Sequence, residues 1–208
     1  MAQRDLALRW RSNIAVNSTR VFSIAQTEGD DLQNYFKDTM AATTADTSKV
    51  QKRYTELESS PEGLRIQIID ESNRPMFASG SAVVQPYMRE LLREIGGVLM
   101  MVPNHLTLEG HTDSQPFSGG AAGYSNWELS ADRANASRRE LVAGGLTEER
   151  VLRVQGLASS QPFNRDDPHD PQNRRISIIV MNRDAEDRFY RPTADRVEPQ
   201  QPEAEPTI

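Results

Sequence analysis

Asp113 and Arg133 are the two residues in this chain whose types and spacing best suit joint chemistry. Asp113 ends the run Leu106-Thr-Leu-Glu-Gly-His-Thr-Asp113. Arg133 lies in Asn126-Trp-Glu-Leu-Ser-Ala-Asp-Arg133, beyond a Gly- and Ser-rich loop. The spacing predicts a strand that delivers Asp113 to its carboxyl end, where open α/β sheets bind ligands. Arg133 then falls about two turns into the next helix, beside Leu129 on its surface. It is one position off a face of small residues, so it is expected at the rim and not in the core. A guanidinium grips a carboxylate with paired bonds, and a carboxylate accepts an ammonium. The two at one mouth suit an amino-acid head group. The residues also allow Asp113 and Arg133 to pair with each other, or to face water separately.

The neighbours extend the same reading. Asn126 and Ser130 bring short polar groups to the helix start, where unpaired N–H groups and the helix dipole favour an anion. His111 with Asp113 could be a metal site or an acid–base pair. However, the chain holds only three histidines, at 105, 111 and 169, without the i, i+4 pair of a zinc helix. His111 is expected to pack against the loop and fix Asp113. No nucleophile elbow and no phosphate-binding Gly-rich loop occurs, so no catalytic residue, metal or cofactor is expected.

Composition narrows the partners. The 208 residues carry a net charge of −6, which opposes general nucleic-acid binding. There is no cysteine, hence no disulfide and no thiolate chemistry. No apolar run reaches the roughly 18 residues of a membrane span. The stretch Leu6 to Val16 is broken by Arg9, Arg11, Ser12 and Asn13, so it is no signal-peptide core. An export or anchoring signal, if the protein has one, is expected outside this sequence.

The elements that must position the pair can be read in order. Residues 1–61 are read as a helical, linker-like extension, from Leu32, Tyr35 and Phe36 and from Val50, Tyr54 and Leu57 at helical spacing. Pro61 and Gly63 open the folded domain. Leu64 to Ile69 alternates as a strand, and Asp70 to Asn73 reads as a turn. Pro86 starts a helix running to about Met101, with Met88, Leu91, Leu92, Ile95, Val98 and Leu99 on one face. Gly96-Gly97 lets something pack closely. His105 to Gly110 is the next strand. Ser125 and Glu128 form a capping box, and Ser130, Ala134, Ser137 and Leu141 make the small face of that helix. Val151 to Gly156 and Arg175 to Met181 are further strands, with a polar loop from Ala158 to Gln172 between them. Alternation sends Arg174 and Arg175 to opposite faces, one towards the crevice and one into solvent. Residues 184–208 are read as a disordered, acidic, Pro-rich tail. The expected fold is therefore α/β in composition, an α+β sandwich: a βαβαββ domain over 62–183 with a mixed sheet covered by helices.

Gly110-His-Thr-Asp113, Asn126-x-x-Leu-Ser-x-x-Arg-Ala134 and Asn173-Arg-Arg-Ile176, in this order and spacing, resemble the OmpA-like peptidoglycan-binding domain. Within that family the chain is most similar to its flagellar-stator members, through Glu62 to Asp70, Pro75 to Ala82 and Tyr124 to Val142. The resemblance implies a non-covalent cell-wall anchor whose ligand is the diaminopimelate residue of the peptidoglycan stem peptide. Asp113 would take the side-chain ammonium and Arg133 the carboxylate. Thr112, Asn126, Leu129 and Asn173 occupy further matched positions, and the arginine near the last strand is matched by Arg174 or Arg175. The loop between Asp113 and Asn126 is longer than in many members. The resemblance further implies a homodimer, a membrane partner within the stator, the flagellar basal body as its surroundings, and a periplasmic location. The tethering membrane helix would lie upstream of this sequence. It also leaves open a general envelope tether of the same fold.

Overall fold

The structure, a computed structural model, describes residue 34 and residues 55–70, 74–117 and 123–191. The amphipathic pattern at Leu32, Tyr35 and Phe36, the end of the turn expected at 71–73 and the tail beyond 191 lie outside the described residues.

Among the described residues, five strands form one sheet in the order β1-β2-β5-β3-β4. They are β1 (Thr55–Ser60), β2 (Gly63–Ile69), β3 (Leu106–His111), β4 (Val151–Gly156) and β5 (Arg175–Met181). Helix α1 (Pro86–Leu99) leads into β3, α2 (Asn126–Ala143) leads towards β4, and α3 (Arg183–Tyr190) follows β5. The expected βαβαββ order is present, with one strand before it and one helix after it. Only β3 and β4 run parallel; β1–β2, β2–β5 and β3–β5 are antiparallel.

The core lies on one face of the sheet. Leu64, Ile66 and Ile68 of β2, Leu106 and Leu108 of β3, and Ile176, Ile178 and Val180 of β5 meet Met88, Leu92, Ile95 and Leu99 of α1. This is the period-two and period-3.6 patterning expected of the two element types. Pro86 occupies the first turn of α1 as expected. At Gly96, an added Cβ would sit 2.2 Å from the Leu141 carbonyl oxygen, so the glycine lets α1 and α2 touch backbone to backbone.

Three readings change. Of the helix suggested by Val50, Tyr54 and Leu57, the first two residues lie outside the described residues, while Leu57 lies in β1, with Thr55–Ser60 paired to β2. Pro61 and Glu62 form the two-residue turn of that hairpin, and Gly63 continues it at φ +134°. A four-residue spacing fits a helix, but Leu57 between Glu56 and Glu58 fits a strand edge equally, and pairing decides. At the other end, residues 183–190 are helical rather than disordered. Asn182 caps α3 by accepting from the Ala185 N–H at 2.9 Å, and Ala185 is buried. Finally, Arg175 is not solvated. It is buried, its Nε donates to Gln67 Oε1 at 2.9 Å, and burial lowers its pKa to about 10.

Candidate functional site

Helix α2 is seated on the sheet by its small residues. An added Cβ at Gly110 of β3 would lie 2.0 Å from the Ser130 carbonyl oxygen, and one at Gly156 of β4 would lie 2.4 Å from the Ala131 nitrogen. Ser130, Ala134, Ser137 and Leu141 are all buried, as their shared face predicts. The helix start is fixed by the expected capping box. The Trp127 N–H donates to Ser125 Oγ at 3.2 Å and the Ser125 N–H donates to Glu128 Oε2 at 2.7 Å. Close seating brings Arg133 over the end of β3.

A cavity of about 690 Å³ opens there. Asp113, Arg133, Thr112, Asn126, Leu129 and Arg174 all line it. Asp70, Arg175, Phe77 and Phe117 add to its charged and aromatic walls. Asp113 and Arg133 therefore share one hollow, the first of the arrangements that the spacing left open. Arg133 is not a rim residue, however: it is only 8% exposed. Its Nε donates to the Ser81 carbonyl at 3.0 Å and its guanidinium carbon lies 5.0 Å from the Phe77 ring centre. The aliphatic stem is long enough to bury while the head stays in the cavity wall.

The two charges do not pair with each other. Asp113 Oδ2 instead accepts from Arg174 Nη1 at 2.9 Å, and its Oδ1 accepts from the Gln115 N–H at 3.2 Å. Arg174 Nε also donates to Asp70 Oδ2 at 2.8 Å. Burial lowers the Arg174 pKa, but the bonds to Asp70 and Asp113 outweigh it and hold the group above its ordinary value. Arg133 makes no ion pair among the described residues. Burial pulls its pKa down, against the attraction of Asp70. It stays charged at neutral pH all the same.

Other polar groups are left unsatisfied at the same place. Thr112 Oγ1 and His111 Nδ1 are buried with no partner among the described residues. His111 ends β3 and is 1% exposed. Its Nε2 lies 3.4 Å from Ser177 Oγ and 3.7 Å from Glu109 Oε2, so the ring is locked into the sheet. Burial depresses its pKa below the usual histidine value. Asn126 Nδ2 donates to the Gln115 carbonyl at 2.7 Å, which ties the loop after Asp113 to the start of α2. The Phe117 ring lies 5.2 Å from the Tyr124 ring, tilted at 56° to it.

Asn173 stands apart from the cavity. It is 1% exposed; its Oδ1 accepts from the Asn164 N–H and its Nδ2 donates to the Asp167 carbonyl, each at 2.8 Å. It shapes the loop before β5 and thereby presents Arg174. Asp70 and Phe77 belong to the site but were not singled out in the sequence. Both sit in the stretch Glu62 to Ala82, whose likeness to the family was the one available signal.

Residues 76–175 match the OmpA family. This chain carries an OmpA family domain. It is 57% identical over 134 residues to motility protein B of Escherichia coli strain K12, which covers 64% of this chain and 44% of that protein. The chain thus spans less than half the length of that relative. In fold, the OmpA family domain is similar to the periplasmic domain of Helicobacter pylori MotB. The TM-score is 0.54 at 20% identity, covering 66% of this chain and 93% of the other. It is similar too to the cell wall anchor of the type VI secretion system of Pseudomonas aeruginosa, with TM-score 0.54 and 26% identity over 68% of this chain and 96% of the other.

Proposed function

We propose that this OmpA family domain is a non-covalent peptidoglycan anchor that fixes the flagellar motor stator to the cell wall. One observation carries the reading. Arg133 is buried beside a cavity without a carboxylate partner among the described residues, and Asp113 faces the same cavity with Arg174 holding it in place. A buried cation of that kind is stabilised by an anionic ligand. Asp113 retains acceptor capacity for an ammonium, since each carboxylate oxygen can accept more than one bond. The diaminopimelate residue of the stem peptide offers both charges on one carbon. Thr112 Oγ1, free of other partners, would bond the ligand, and Asn126 and Leu129 would form the wall beside it. Asn173 would act through Arg174.

The reading is non-enzymatic: the site holds and does not cut. The 57% identity to motility protein B supports the stator role. In the complete protein this domain would work in the periplasm as a homodimer, tethered to the inner membrane, with MotA as its membrane partner and the flagellar basal body around it. The likeness to a secretion-system wall anchor favours one second reading, a general envelope tether with the same ligand.

Sedimentation with purified sacculi tests the ligand. The wild-type chain should pellet with the wall, while Asp113→Ala and Arg133→Ala should each lose about 1.5–3 kcal/mol of binding, the scale of a charged hydrogen bond. Equal pelleting of all three would overturn the proposal. Release of soluble fragments from the sacculi would establish an enzyme instead. Complementation of motility in a strain lacking its stator anchor separates the stator role from the general tether.

A further inference from the structure

The cavity contains a second carboxylate that does more than line it. Asp70 lies just past β2 and is 5% exposed. Its Oδ1 accepts from the Met76 N–H at 2.7 Å, and its Oδ2 accepts from Arg174 Nε at 2.8 Å. Each oxygen begins a separate chain of contacts. Through Arg174, the first chain reaches Asp113 Oδ2 at 2.9 Å. Through Met76, the second runs along the turn over 76–85. There the Gln85 N–H donates to the Met76 carbonyl, the Ala78 N–H to the Val83 carbonyl, and the Ser81 N–H to the Ala78 carbonyl. That turn places the Phe77 ring under the Arg133 guanidinium and the Ser81 carbonyl 3.0 Å from Arg133 Nε.

We propose that Asp70 is the shared positioning residue of the site, fixing the anionic jaw through Arg174 and the cationic jaw through the turn that carries Phe77 and Ser81. The inference rests on the clamp described under Proposed function. It assigns Asp70 no contact with the ligand. Asparagine cannot take its place: its amide nitrogen is a donor, and both Arg174 and the Met76 N–H need acceptors. The charged groups facing Asp70 are Arg174, just before β5, and Arg133 from α2, and burial raises its pKa against their pull. Acid should therefore protonate Asp70 above the ordinary carboxylate range and release both jaws together.

Two measurements decide the matter. In the first, the whole chain is titrated from neutral to acid pH. NMR follows the side-chain Nε–Hε signals of Arg133 and Arg174 and the carboxyl carbons of Asp70 and Asp113. Both arginine signals should move with the Asp70 midpoint. An Arg133 signal that stays still, or that follows Asp113 alone, overturns the proposal. In the second, Asp70→Asn and Asp70→Glu are pelleted with sacculi beside the wild type. Both variants should bind about tenfold or more weakly, the glutamate because its carboxylate is displaced by one methylene although its charge is kept. Wild-type pelleting by a folded Asp70→Asn overturns the proposal. The titration needs no variant, so a failure of Asp70→Asn to fold leaves it decisive. A wild-type chain that does not pellet would refute the wall ligand, while the titration would still decide the role of Asp70.

Discussion

Thr112→Val should raise stability and lower binding at once, a combination that few substitutions produce. Thr112 is 3% exposed. Its backbone N–H donates to the Ala158 carbonyl at 2.9 Å, yet Oγ1 has no partner among the described residues. A buried hydroxyl left unpaired costs roughly 1–3 kcal/mol on mutational scales. Valine puts a methyl in its place and keeps the β-branched shape that the strand end favours. The free protein should gain about 1 kcal/mol. With a urea slope of about 1–3 kcal/mol per molar, the unfolding midpoint should rise by about 0.5 M. In the ligand-bound form the same hydroxyl would donate to a carboxylate. Losing such a bond costs about 1.5–3 kcal/mol, or roughly 10- to 150-fold in affinity. Urea denaturation followed by circular dichroism reads the first effect, and sacculus pelleting reads the second. A midpoint that falls would show that Oγ1 has a partner worth keeping. Unchanged pelleting would show that the hydroxyl faces away from the ligand. Either result refutes the reasoning.

Arg133→Lys keeps the charge but cannot hold the Ser81 carbonyl and grip a carboxylate with two parallel bonds. Pelleting should weaken about tenfold, with the fold retained. Gly110→Ala places a Cβ 2.0 Å from the Ser130 carbonyl oxygen, so α2 must lift from β3 by over about 1 Å; overpacking of this kind costs about 1–3 kcal/mol or more. Calorimetry should show a lower midpoint, and the displaced Arg133 should weaken pelleting as well. His111 is buried and its folded pKa lies below the unfolded value of 6.5. Below pH 6.5 the unfolded chain therefore binds more protons, so this contribution to stability is complete above that pH and is lost as pH falls towards the folded pKa. His111→Gln should shrink the loss of urea midpoint between about pH 7.5 and 5 relative to wild type; equal losses in both proteins would assign the acid sensitivity elsewhere.

The parts of the fold that were legible in the sequence are those where one local rule acts without competition. Ser125 and Glu128 cap α2 as their spacing requires, and Leu64, Ile66 and Ile68 alternate into the core. Gly96 marks a true backbone contact between helices. The misread parts are those where two rules compete. Leu57 satisfied a helical spacing, but the tight turn at Pro61-Glu62 supplies β1 with a partner strand. The charged stretch after Met181 looked unstructured, yet the Asn182 cap and the buried Ala185 hold one short helix. In the site, charge type and strand-end position were enough to bring Asp113 and Arg133 to one cavity. The burial of Arg133 was not readable, because the depth of a long side chain depends on Phe77 and Ser81, roughly fifty positions away in the chain. The exposure expected for one of the two arginines at 174 and 175 failed for a similar reason: the second face of the sheet is polar but covered, and Gln67 gives Arg175 a buried partner.

Opposite charges at one mouth tend to close on each other, and a site that did so would have no capacity left for a zwitterion. Two separate contacts oppose that collapse here. Arg174 supplies the cation nearest Asp113, so its carboxylate is already balanced without Arg133. The Ser81 carbonyl accepts from Arg133 Nε at 3.0 Å, which ties the guanidinium to the turn over 76–85. Among the five charged side chains that line the cavity, Arg174 bridges Asp70 and Asp113, while Arg133 and Arg175 make no ion pair among the described residues. A ligand bearing both charges would bring its carboxylate to Arg133 and its ammonium to Asp113, the two groups that share the hollow. The same logic explains why Arg174, a residue that need not touch the ligand, should matter to binding: without it, Asp113 would be left with Arg133 as its nearest cation.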